Sequence, residues 1–97
     1  SGIEREFESS LLKKIADLTA LWKENSKLYY DSKEKAASTK AIIDSRKYPN
    51  GLPLSKDELK EARVDFRAYT ATYKQALSDA KSNKRFKERF EKYLESM

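Results

Sequence analysis

Apolar side chains recur along this chain at alternating three- and four-residue intervals over two long stretches. In the first they are Leu11, Ile15, Leu18, Trp22, Tyr29, Ala36 and Ile43. An α-helix brings residues three and four apart onto one face, so this spacing predicts one long amphipathic helix over 3–46. In heptad letters, Ile15, Trp22, Tyr29, Ala36 and Ile43 take position a, and Leu11, Leu18, Asn25, Ser32 and Thr39 take position d. Phe7, Leu21, Leu28 and Ile42 fall at g and widen the stripe. A helix of this length spans roughly 65 Å at about 1.5 Å per residue, which is the habit of coiled coils, bundles and arms.

The second stretch repeats the pattern over 55–96. Leu59, Phe66, Tyr73, Ala80 and Leu94 keep one row, and Ala62, Tyr69, Ala76, Phe90 and Met97 keep the other. Asn83 and Lys87 are polar interruptions in these rows. Ser82-Asn83 carries no glycine cap and no proline, so one continuous helix is expected. The competing expectation is a kink near 82–84 with a short third helix folding back.

Between the two stretches the pattern stops. Residues 47–54 hold both prolines and the one glycine outside the N-terminus. Pro49 and Asn50 suit the two central positions of a tight turn from Tyr48 to Gly51, with Asn50 able to turn left-handed. Pro53 forbids helix and extends Leu52. Ser55 then reads as an N-cap and Glu58 as its capping-box partner, with Leu54 and Leu59 placed as a hydrophobic staple. The expectation is therefore an all-α fold: a long, coiled-coil-like antiparallel helical hairpin making one domain over 1–97. Folding the arms about this tip pairs Ile43 with Leu59, Ala36 with Phe66, Ser32 with Tyr69, Asn25 with Ala76 and Trp22 with Ala80. Large residues meet small ones in most layers, as dense packing requires. Leu18 against Asn83 and Ile15 against Lys87 fit poorly.

Composition narrows the chemistry. Charged and apolar residues each make up 38% of the 97 residues, so core-forming material is thin. No apolar run is long enough to cross a membrane. There is no histidine and no cysteine, which removes histidine triads, thiol nucleophiles, disulfides and the usual zinc sites. With Gly51 the only internal glycine, no phosphate-cradling loop can form. The acidic pairs on helix faces are flanked by Lys or Arg at helical spacing and read as solvated ion pairs. No cofactor, metal or catalytic residue is expected, and the chain is read as a non-enzyme. Lack of cysteine suits the cytosol and many secreted bacterial proteins alike. Ser1-Gly2 resembles the remnant of a protease cut, so a longer natural chain is expected.

What remains is binding. A two-helix hairpin covers one stripe per arm, and the extra apolar residues predict a partner: a second copy forming a helical bundle, or another protein. The candidate contact residues are Tyr30, Tyr48, Leu52, Leu54, Leu21, Leu28, Leu77, Phe86 and Tyr93, with Leu12 beside them. Trp22, at a, reads as a core anchor. The net charge is +5, and Lys81, Lys84, Arg85, Lys87, Arg89 and Lys92 form a basic run interleaved with aromatics. That run is the candidate nucleic-acid contact, the alternative to a protein-interaction or scaffolding role.

Overall fold

The computed structural model describes residues 2–97. They form two helices, α1 (Gly2–Ser45) and α2 (Lys56–Glu95), arranged as an antiparallel hairpin. Helix α2 runs unbroken through residues 82–84, so the kinked alternative with a third helix does not occur. The reason is local: nothing at Ser82-Asn83 caps or breaks a helix, and both side chains are half-buried instead of turned back on the backbone. Threonines inside the helices are accommodated in the same spirit. Thr19, Thr39 and Thr72 each donate a hydroxyl hydrogen bond to the carbonyl four residues back, at 2.7–2.9 Å.

The tip departs from expectation in one detail. The left-handed residues are Arg46 (φ 58°) and Gly51 (φ 87°), not Asn50. Arg46 ends α1, its N–H reaching the Ile42 carbonyl at 2.8 Å, and its own carbonyl accepts from the Leu54 N–H. A single antiparallel bridge joins Lys47 to Pro53, with the Tyr48 N–H bonded to the Leu52 carbonyl. Gly51 N–H closes the turn on the Tyr48 carbonyl at 2.8 Å. Asn50 is spared the left-handed role because its side chain serves elsewhere, accepting the Leu52 N–H at 3.0 Å. The capping box forms as expected: Ser55 N–H donates to Glu58 Oε1 at 2.9 Å, and Glu58 N–H donates to Ser55 Oγ at 3.1 Å.

Every expected seam position from Leu11 to Ile43 and from Leu59 to Leu94 is buried or half-buried. Met97 lies past the end of α2 and is exposed, as is Phe7. Among the described residues, the buried ones are small apart from Leu11: Ser32, Ala36, Ala76 and Ala80. Small side chains let the helices approach, and the bulkier neighbours then lie across them half-covered.

Two compact units divide the chain, residues 28–76 and residues 1–27 with 77–97. Within the first, Tyr29 meets Tyr73 edge to face at 6.1 Å, and Lys35 lies over the Tyr69 ring, one turn from its expected neighbour Ser32. Within the second, the two awkward layers resolve. Asn83 accepts a 2.8 Å hydrogen bond from Asn25 Nδ2, and Lys84 and Lys87 place their ammonium groups over Trp22 at 5.8 and 5.9 Å. Asn83 and Lys87 thus find partners nearer the tip than Leu18 and Ile15. Half-buried polar groups settle where their hydrogen bonds and charge are satisfied.

Candidate functional site

Tyr30 and Leu52 stand well exposed, as do Leu12, Leu21, Leu28, Phe86 and Tyr93. Leu54 and Leu77 are half-buried and contribute less surface. Tyr48 is half-buried, and its hydroxyl donates to Glu58 Oε2. That bond, and then the Ser55 N–H, hold the Glu58 carboxyl below the usual glutamate range. The same bond holds the Tyr48 phenol above its usual value. Tyr48 therefore ties the turn to the cap of α2.

Heptad letters say which exposed residues share an edge. In an antiparallel pair the g rows of both helices flank one side of the seam and the e rows the other, with c beside g and b beside e. Taking Leu59 as a, Phe86 and Tyr93 are g residues, like Phe7 and Leu21 of α1. In the unit of 1–27 and 77–97 these four fall on one edge, with Ile3 next to them at c. All five are exposed. Phe7, placed at g from the sequence, joins the contact candidates, and Ile3 extends them; Ile3 lies well before the first strong seam residue, Leu11, where the repeat is too short to place it.

The candidate basic run is less open than its sequence suggests. Lys84 and Lys87 lie over Trp22, Lys87 also pairs with Glu91 at 3.0 Å, and Arg85 lies over the Phe86 ring at 5.5 Å. Lys81, Arg89 and Lys92 complete the run on the exposed face of α2. Arg85, Glu88, Arg89, Lys92 and Tyr93 line a shallow hollow there.

A charge arrangement invisible in the linear sequence appears in the 28–76 unit. Its e and b rows hold Lys33 and Lys40 from α1 and Lys60, Arg63, Arg67 and Lys74 from α2, with Asp44 the one carboxylate. Its g and c rows hold Asp31, Glu58, Glu61 and Asp65, with Lys35 the one cation. Cations and carboxylates alternate along the chain, so only the helical register and the pairing of the arms separate them. Tyr30 stands on the basic edge. Its ring lies edge to face on Tyr29 at 5.1 Å. Lys33 donates to the Tyr29 hydroxyl at 3.1 Å, a bond that raises the lysine above its usual range.

Among the described residues, no group of three or more His, Cys, Asp or Glu side chains could hold a metal ion. No described helix is long and apolar enough to cross a membrane. No protein-family model, curated protein or solved structure matches the chain.

Proposed function

We propose that this protein is a non-enzymatic interaction module, a helical hairpin that pairs with a second copy or with another helical protein. The observation that carries this reading is the exposed apolar edge formed by Ile3, Phe7, Leu21, Phe86 and Tyr93. Aliphatic and aromatic residues gathered on one edge are what association covers. Surface area supports it. The chain exposes 7515 Å², whereas a compact 11.3 kDa protein exposes about 5,700 Å² by the usual scaling with mass. The surplus is more than the roughly 800 Å² that each partner contributes to a specific interface. The non-enzymatic part rests on side chains: without histidine or cysteine, and with its carboxylates on solvated helix faces, the chain offers no nucleophile–base pair.

Light scattering coupled to size exclusion tests the reading. The expected mass is at least twice 11.3 kDa at micromolar concentration. Phe7→Ser with Phe86→Ser should return it to that of one chain while leaving the helical circular dichroism intact. A monomer at every concentration, together with no partner retained from extracts in an edge-dependent way, would sink the proposal.

A further inference from the structure

The basic edge of the 28–76 unit carries chemistry that pairing through the apolar edge leaves unused. Lys60, Arg67 and Lys74 recur every seventh residue on α2, so they stand about 10 Å apart along the helix. Arg63 lies beside this row, and Lys33 approaches from α1. Lys40 is spoken for by Asp44 at 2.9 Å. Among these cations stands Tyr30, 69% exposed, its ring braced on Tyr29, which is braced in turn on Tyr73. We propose that this edge binds single-stranded nucleic acid: Lys33, Lys60, Arg63, Arg67 and Lys74 hold phosphates, and Tyr30 stacks on a base.

The chemistry selects this ligand over others. Rows of cations follow a phosphate backbone, and an exposed aromatic ring accepts any unpaired base because every base has a π-face. A duplex keeps its bases stacked inside, so Tyr30 has nothing to offer it. An anionic membrane attracts cations too but holds a helix firmly only where an apolar face enters it, and apart from the lone Tyr30 this edge presents Ala37 and Thr70 between the cations. The acidic edge of a second copy is a weaker match. Its Glu58 is engaged by Ser55 and Tyr48, and Lys35 interrupts it. The inference is independent of self-pairing, since it uses a different unit of the chain and no residue of the apolar edge.

Fluorescence anisotropy with a labelled thymidine oligonucleotide of about 20 residues, and with a duplex of equal length, tests the full chain. Single-strand binding should weaken steeply with salt, with a log–log slope of about −3.5 for five phosphate contacts. Reversing Lys33, Arg67 and Lys74 to Glu should lower affinity roughly tenfold or more, since three contacts become repulsions. Tyr30→Ala should cost roughly fivefold or more on the single strand and nothing on the duplex, whereas Tyr30→Phe should retain binding. Reversing Arg85, Arg89 and Lys92 serves as the control and should leave affinity within about threefold, since those residues fall at f and c, off the edge. All substituted positions are exposed, and circular dichroism verifies that each variant stays helical. The proposal is overturned by absence of binding at low salt, by insensitivity to the edge reversal, or by equal loss in the control variant. An unaffected Tyr30→Ala, or displacement by polyglutamate as effective as by oligonucleotide, overturns the single-strand assignment as well. So does a low-salt gain in mass without nucleic acid that the edge reversal abolishes, because that outcome gives the edge to a second copy.

Discussion

Arg46 leaves α1 with a left-handed backbone that costs an L-residue about 1 kcal/mol or more and costs glycine little. Arg46→Gly should therefore stabilise the fold by about 0.5–1 kcal/mol. Gly51 holds the complementary position, and Gly51→Ala should destabilise by about 1 kcal/mol although no atom lies within 4 Å of the added methyl. Urea unfolding of the two variants checks both signs. Glu58 and Tyr48 give stability a pH signature at each end of the scale. Folded Glu58 binds its proton less tightly than unfolded Glu58, because the ionised form accepts the Tyr48 hydroxyl and the Ser55 N–H. Its contribution is therefore present above the unfolded value and is lost as pH falls through the lowered folded one. Tyr48 behaves oppositely: its folded value is raised, so its contribution persists below the ordinary phenol range and is lost as pH rises through the folded value. Tyr48→Phe should flatten both limbs of a plot of urea midpoint against pH, and unchanged limbs would argue against the coupling.

At the scale of elements, the pair Asn25–Asn83 is the one cross-arm hydrogen bond between side chains in its unit that joins two seam positions among the described residues. Removing one partner strands the other, so Asn83→Ala should cost about 1–2 kcal/mol. Replacing both with Leu should be neutral or stabilising while loosening the register, since a polar pair in a seam specifies alignment more than it adds energy. A double-mutant cycle in urea separates the two effects. The alanines test packing in the other direction. Ala80 is 6% exposed and lies where the helices approach, so Ala80→Leu should overpack the seam at a cost of about 1–3 kcal/mol. If Ala80→Leu stabilises, the close approach of the arms is wrong.

For the whole molecule, the core is too modest to cover the apolar side chains the arms carry. No large side chain is fully buried among the described residues, and several aromatics remain in water. A chain that completes its burial by association has a melting temperature that rises with protein concentration, by mass action. A tenfold increase in concentration should raise Tm by several degrees if pairing is tight, and scanning calorimetry at two concentrations measures it.

Much of this was legible in residue order, because helix and heptad depend on spacing alone. The seam from Leu11 to Leu94, the bend, the Ser55–Glu58 cap and the exposed Leu21, Leu28, Phe86 and Tyr93 all follow from periodicity and local capping chemistry. Arg46 as the left-handed residue was not legible, since side-chain identity gives no hint that a non-glycine will take that conformation. Nor were the partners of Asn83 and Lys87, which depend on how far one arm slides along the other. The sequence by itself determined which residues face inward, because a 3–4 repeat admits one face. Only the tertiary structure decided which edges the outward residues share. The basic edge around Tyr30 and the apolar edge around Phe7 each draw on both arms, and residues far apart in the chain become neighbours only once the arms are paired.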